Sequence, residues 1–264
     1  MITGILKVFD KPRPDPDAAN WALLEPGWHV FLLYAAYAAF VFRVGRKFME
    51  NRKPLNVKTP MIVYNAFQVV YNSILFYNLV YYMYVEPMYD LRCMETLPLD
   101  HPKKNVERWI MYGYFINKLL DLLDTVFFVL RKSYKQITLL HVYHHILMGL
   151  TPYFIGRFYG FGGQFVTIAL LNTLVHIVMY FYYLISAMST KLKGSIWWKK
   201  YITVIQLVQF VILLAQTLYV KVFEPDCGYP AILNYLQMTQ SITMIIMFSN
   251  FYIKSYVKTS QKQT

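Results

Sequence analysis

The chain has 264 residues, of which 57% are hydrophobic, 18% aromatic and only 15% charged, with a formal net charge of +12 and a mean hydropathy of +0.34. A soluble domain of this size has no use for so much apolar surface, so the composition excludes a soluble globular protein and predicts an all-α integral membrane protein. The basic residues alternate with apolar runs and form no continuous groove, which argues against nucleic acid as a partner.

Apolar runs at 28–42, 61–85, 109–130, 137–156, 163–187, 201–223 and 230–253 predict seven transmembrane helices at about 20 residues per crossing, the first being the shortest. They form a single transmembrane domain over 1–264, with a short N-terminal segment 1–27 and a short tail 254–264. Met1 to Asn20 lacks the basic region, apolar core and cleavage site of a removable signal peptide. Pro and Gly punctuate the helix ends at Lys53-Pro54, Glu86-Pro87, Gly160 to Gly163 and Glu224-Pro225.

The connections divide sharply by charge. One set carries Arg43, Arg46, Lys47, Arg52, Lys53, Lys58, Arg131, Lys132, Lys135, Lys191, Lys193, Lys199, Lys200, Lys254, Lys258 and Lys262 against a single acid, Glu50; the other carries more acids than bases. The positive-inside rule makes the first set cytosolic, with the N-terminus outside and the C-terminus inside. Such a face anchors against anionic membrane lipid and would also concentrate an anionic thioester. Cys93 and Cys227 both fall in loops on the non-cytosolic side, where two cysteines read as a disulfide, with two free thiols as the alternative.

The residues that carry chemistry are polar ones inside apolar runs, where each is costly. His141, His144 and His145, at i, i+3 and i+4, share one helix face and have no cheap packing role. The preceding run carries Lys118, Asp121 and Asp124. Measured from the turn near Ser133, Asp124 and His141 lie roughly 12–14 Å along their helices, and Asp121 and His144 roughly 17–18 Å. The next run places Asn172, His176 and Tyr180 on one stripe, and the sixth carries Thr203, Gln206 and Gln209. Four runs therefore put polar groups in one layer. Each element has a duller reading: Gln206 and Gln209 as interhelical hydrogen bonds, Lys118 with Asp121 as a structural ion pair, Asp124-Thr125 as helix packing, His176 as a core histidine.

At these residues the chain resembles the fatty-acid elongases, membrane 3-ketoacyl-CoA synthases of the endoplasmic reticulum. The similar pieces are Lys118-Leu-Leu-Asp121-Leu-Leu-Asp124-Thr125, Phe128-Val-Leu-Arg131-Lys132 with Gln136, Leu140-His141-Val-Tyr-His144-His145, Asn172-Thr-Leu-Val-His176-Ile-Val-Met179-Tyr180, Thr203 to Gln209, Glu50-Asn51-Arg52-Lys53-Pro54 and the two loop cysteines. Position 121 is Asp where many members have Glu, so the carboxylate sits on a shorter stem. The resemblance implies seven helices, with spans two to seven forming a barrel around a narrow acyl tunnel open to the cytosol.

It also implies a decarboxylative condensation of a long-chain acyl-CoA with malonyl-CoA. His144 would be the nucleophile, because neutral imidazole attacks a thioester and leaves a reactive acyl-imidazole. His176 would serve the second substrate; His141 and His145 would orient partners or polarise the carbonyl; Asn172 and Gln209 would donate to oxyanions; Asp121 and Asp124 would tune the imidazoles, with Lys118 holding Asp121 ionised. Arg131, Lys132, Gln136, Tyr180, Thr203, Gln206, Lys199 and Lys200 are candidate substrate contacts. No cofactor or metal is expected beyond the two CoA substrates; other elongation-cycle enzymes and a second copy of the chain are the protein partners envisaged. The rivals are a di-iron oxidase such as a desaturase, which shares the His-x-x-His-His pattern but needs about eight histidines against the six present, and a seven-helix receptor or lipid carrier.

Overall fold

A computed structural model of the chain describes residues 15–25, 27–189 and 196–257, with the side chains of Ile196 and Trp197 left aside. Most of the signal-peptide reading, the charges at Lys7, Lys11, Arg13, Lys191, Lys193, Lys258 and Lys262, and the end of the tail lie outside these residues. Among the described residues the fold is helical throughout, with one isolated bridge between Asp90 and Cys93. The elements are α1 (Pro16–Ala19), α2 (Trp28–Met49, with a π-helical stretch at Phe40–Val44), α3 (Lys58–Val80), α4 (Lys104–Leu120), α5 (Leu123–Leu130), α6 (Leu139–Phe158), α7 (Phe165–Met188), α8 (Ile196–Phe223) and α9 (Ala231–Tyr252).

Four helices are long and apolar enough to cross a membrane: α2, α7, Trp198–Phe223 within α8, and Ala231–Val257, which extends α9. This makes the chain a multi-pass membrane protein. The remaining helices fall short for visible reasons. Asn65, Gln68, Asn72 and Asn78 lower the hydropathy of α3, the run at 109–130 is cut into α4 and α5, and α6 carries three histidines and Pro152. The helix beginning at Trp28 runs to Met49, past the boundary expected at residue 42.

The described residues form two compact units. One comprises 65–103 and 162–257. In it α8 packs against both α7 and α9, and Gln216 donates to Gln164 Oε1 at 2.7 Å and Thr167 Oγ1 at 2.8 Å. Gln237 of α9 donates to the Leu213 carbonyl at 3.3 Å, so amide side chains stitch these helices together. A disulfide joins Cys93 to Cys227, and beside it Gly228 N–H donates to Glu95 Oε1 at 2.8 Å.

The other unit comprises 15–64 and 104–161. Its core is aromatic and polar together: Tyr114, Phe115 and Lys118 are all fully buried. The segment before α2 is strapped onto α4 and α6. Trp21 lies 4.4 Å from Trp109, Tyr112 Oη donates to the Ala22 carbonyl at 3.0 Å, and Arg157 pairs with Glu25. The strap begins at Asp15, which caps α1 by accepting from Ala18 N–H and receives Arg108 in two bonds, Nε at 2.7 Å and Nη2 at 2.8 Å. Lys104 joins the cluster, 2.6 Å from Glu107 and 3.7 Å from Asp15.

Burial raises the Asp15 pKa, but the Arg108 hydrogen bonds, the Ala18 N–H and the charges of Arg108 and Lys104 outweigh it, so the carboxyl sits below its ordinary value. A carboxylate depressed in this way adds stability above its unfolded pKa of about 3.9, and the gain disappears as pH falls through the folded value. Asp15→Asn removes the buried partner of Arg108 Nε and Nη2 while Asp17 and Asn105 still hold Nη1, and should cost about 1–3 kcal/mol near neutral pH. Thermal unfolding of detergent-purified protein across an acid series should show a lower midpoint for the variant, converging on wild type only at the acid end.

Candidate functional site

The site begins where a helix fails. The run expected to be continuous over 109–130 is two helices joined by a turn at Asp121 and Leu122. Through it the backbone tightens: Leu122 N–H bonds Leu119 O at 3.3 Å, Asp124 N–H bonds Asp121 O at 3.2 Å, and Thr125 N–H bonds Leu122 O at 3.2 Å. The Leu120 carbonyl thereby loses its normal partner, Asp124, and takes the Tyr64 hydroxyl instead at 3.3 Å. At the same point Lys118 Nζ meets Asp121 Oδ2 at 2.7 Å, both side chains at most 3% exposed, and the ammonium lies 5.1 Å from the Tyr114 ring centre.

Helix α5 ends at Arg131 with a double turn in which Lys132 N–H bonds Val129 O and Ser133 N–H bonds Phe128 O. Lys132 occupies the left-handed position at φ 55°, where glycine is usual, and its ammonium bonds the Glu50 carbonyl at 3.0 Å. Arg131 donates to Gln136 Oε1 at 2.6 Å and lies against Phe128 and Met61 Sδ. These three candidate substrate contacts therefore also tie the turn together.

Thr138 starts α6: its backbone is extended and its hydroxyl accepts from His141 N–H at 3.2 Å. The cap fixes the three imidazoles in the first two turns. His141 Nε2 lies 2.8 Å from Thr125 Oγ1, and Thr125 Oγ1 lies 2.8 Å from the Tyr37 hydroxyl. Asp124 matches His141 in depth, but the hydrogen bond is made by its neighbour Thr125, one residue further along α5. The His141 ring packs on His145 at 4.3 Å between centres, and His145 on His144 at 5.7 Å, edge to face. His145 is buried, while His141 and His144 are half-buried. Two turns on, a Cβ at Gly149 would collide with the Tyr34 hydroxyl, so α2 can approach α6 only across a glycine.

In the other unit Asn172, His176 and Tyr180 are all buried, with the last two rings 5.5 Å apart. Thr203 bonds the Lys199 carbonyl at 3.1 Å and lies 3.4 Å from the Tyr256 hydroxyl. Gln206 is half-buried, and Lys199 and Lys200 are exposed at the start of α8. Gln209 is buried, and its Oε1 has no hydrogen-bond partner among the described residues. The two remaining histidines have local contacts of their own: His29 stacks on Trp28, and His101 accepts from Lys103 N–H. Among the described residues, the trio of His, Cys, Asp or Glu ligand atoms that gathers within 4.8 Å is Cys93, Glu95 and Cys227, whose sulfurs are already bonded to each other.

Tyr37, Tyr64 and Thr125 are the site residues that the sequence did not single out for a role. Thr125 stands in a recognised motif, but its hydroxyl reads equally well as packing. The two tyrosines are hidden among 24 in the chain.

A helical multi-pass protein with a histidine triplet beside a buried lysine–carboxylate pair is a membrane-embedded protein built around polar chemistry. The chain belongs to the GNS1/SUR4 (ELO) family, whose model matches residues 22–264. It is 41% identical over 250 residues to very long chain fatty acid elongase F of Drosophila simulans, covering 94% of this chain and 95% of that protein. It is 36% identical over 250 residues to very long chain fatty acid elongase 7 of Drosophila melanogaster, covering 95% and 75%, and 37% identical over 245 residues to elongase 7 of Rattus norvegicus, covering 92% and 86%.

The buried Lys118–Asp121 pair yields a test of packing. Lys118→Met leaves a buried carboxylate without its ammonium and should cost about 3–5 kcal/mol, whereas Lys118→Met with Asp121→Asn should recover most of that loss. Melting temperatures of the single and double variants should therefore be non-additive, with the double closer to wild type.

Proposed function

We propose that the protein is the condensing enzyme of fatty-acid elongation, joining a long-chain acyl-CoA to malonyl-CoA to give a 3-ketoacyl-CoA, carbon dioxide and CoA. The observation that carries this mechanism is the nucleophile supply. The chain has two cysteines, both consumed in the Cys93–Cys227 disulfide, while three imidazoles share one face of α6. A condensing enzyme needs a group to hold the acyl chain, and here imidazole takes the place of thiolate.

In this scheme a ring nitrogen of His144 attacks the acyl-CoA carbonyl. The carbon–sulfur bond breaks, and CoA leaves with the proton shed by the ring. Malonyl-CoA then loses carbon dioxide, its carbon–carbon bonding pair becoming an enolate. The enolate carbon attacks the acyl-imidazole, the carbon–nitrogen bond breaks, and the departing ring nitrogen takes up one proton from water, so neutral His144 returns with the 3-ketoacyl-CoA formed. His176 and Asn172 serve the malonyl group, His145 and Gln209 the developing oxyanions, and Asp121 and Asp124 the charge on the rings. Gln209 would donate to the oxyanion through its Nε2 amide.

The same proposal carries seven crossings in one transmembrane domain, spans two to seven around the acyl tunnel, an endoplasmic-reticulum location, the N-terminus lumenal and the C-terminus cytosolic. The basic connections at Arg46, Lys47, Arg52, Lys199 and Lys200 favour that orientation and would draw the anionic CoA substrates. It needs no cofactor, and its products pass to the reducing and dehydrating steps that any 3-ketoacyl thioester requires to become a longer acyl chain.

Purified protein given acyl-CoA without malonyl-CoA should gain the mass of one acyl chain and release one equivalent of CoA, the adduct mapping to His144. His144→Ala should abolish it; an adduct at wild-type yield in that variant overturns the assignment. Asp124→Asn should keep the melting temperature near wild type while slowing single turnover by roughly 10²–10⁴-fold. A destabilised but fully active variant would show that Asp124 is scaffold.

A further inference from the structure

The hydrogen-bond chain running out of His141 has a polarity that its members dictate. Tyr37, Thr125 and His141 are linked by two bonds of 2.8 Å, Tyr37 Oη to Thr125 Oγ1 and Thr125 Oγ1 to His141 Nε2. Thr125 is fully buried and Tyr37 is 6% exposed. Neither hydroxyl has another hydrogen-bond partner among the described residues, so the protons can be accounted for within the trio. A neutral imidazole offers one N–H and one lone pair; each hydroxyl offers one proton.

Three arrangements make both bonds; in one of them the phenol and Nε2–H both donate to the alcohol, whose own proton is then buried without an acceptor, and the other two run in a single direction. In the first of these two, the phenol donates to the alcohol and the alcohol donates to Nε2. In the second, Nε2–H donates to the alcohol and the alcohol donates to the phenol oxygen. The second leaves the Tyr37 proton buried without an acceptor and uses the phenol oxygen, a poor acceptor, in place of the imidazole lone pair. The first spends both buried hydroxyl protons in bonds and leaves outside the trio only Nδ1–H of the half-buried imidazole, and successive bonds pointing the same way polarise one another. We propose that Tyr37 and Thr125 are positioning residues that hold His141 as the Nδ1–H tautomer, with Nε2 committed as an acceptor.

The rest of the fold keeps the pair in place. Helix α2 packs on α5: Tyr37 meets Thr125, and two turns further along α2 a Cβ on Gly45 would clash with Val129. Val41 and Val129 are themselves fully buried, so Tyr37 has no room to swing away. His141 then cannot attack through Nε2. It acts as a fixed donor through Nδ1–H, with its ring stacked on His145, and the attacking role is left to another member of the triplet. That catalytic consequence rests on the condensing reaction proposed above; the tautomer does not.

The test is nitrogen-15 NMR of histidine-labelled protein in lipid nanodiscs, with the His141 signals assigned by their loss in His141→Asn. Wild type should show a protonated Nδ1 and an unprotonated, hydrogen-bonded Nε2. Thr125→Val and Tyr37→Phe should shift His141 toward a mixture of tautomers; Thr125→Ser, which restores the hydroxyl, should return the wild-type pattern. Tyr34→Phe removes a phenol one turn away on the same helix and should leave the pattern unchanged. In turnover assays Thr125→Val should lower kcat roughly tenfold with KM held within about twofold, the size expected for one lost hydrogen bond, and Thr125→Ser should recover it. A protonated Nε2 in wild type, or a Thr125→Val spectrum identical to wild type, overturns the proposal. If Thr125→Val does not fold, Tyr37→Phe and Thr125→Ser decide the matter. Spectra that behave as expected in a protein that forms no 3-ketoacyl product would uphold the tautomer and refute the reaction.

Discussion

A polar group buried away from water has to find its hydrogen-bond partner within the protein. That constraint organises the unit containing the histidine triplet. Breaking the helix at Asp121–Leu122 releases the Leu120 carbonyl and buries a lysine and a carboxylate together. Each is answered locally: Tyr64 takes the carbonyl, Lys118 and Asp121 take each other, and Thr125, one turn beyond the break, takes the ring of His141. The same turn carries the chain from α4 into α5, where Thr125 meets α6. The outcome is Thr125 against His141, next in sequence to the Asp124 that shares its depth.

The legible parts of the structure are those in which a residue type is expensive where it stands. Three histidines in an apolar run, a lysine three residues before an aspartate, and two cysteines in a chain with no others each signal themselves. The runs themselves announced helices, and family membership follows from motifs spread along nearly the whole chain. What stayed hidden has a common physical character. The break in α4–α5 involves only leucine and aspartate, with no Pro or Gly to mark it. Tyr37 and Tyr64 are ordinary aromatic residues whose hydroxyls matter only through what lies opposite. Gln164, Gln216 and Gln237 form the amide stitching of the second unit, whereas attention to depth favoured Gln206 and Gln209. Lys132 in a left-handed conformation is likewise invisible in sequence, where glycine would have marked the turn.

The buried ionic cluster before α2 shows a different use of charge. Asp15, Arg108, Lys104 and Glu107 lie outside the longest apolar stretches and neutralise one another. Such a cluster adds little over a well-packed apolar substitute, but it is intolerant of partial loss and therefore specifies one seating for the segment. With Trp21 stacked on Trp109 and Glu25 paired with Arg157, the strap grips α4 and α6 together. These two helices carry Lys118 and the histidines.

The Cys93–Cys227 bond closes a loop of sequence separation 134. Residues 104–161, which lie inside that loop, belong to the other compact unit. During synthesis Cys93 therefore emerges long before its partner, a wait of roughly 7–27 s at usual ribosome speeds. Throughout that interval the thiol stands unpaired while the histidine-bearing unit is being made and can fold. The link can close only once Cys227 has been made, with helix α9 still to follow. The bond thus ties two segments of one unit across a stretch of chain that belongs to the other.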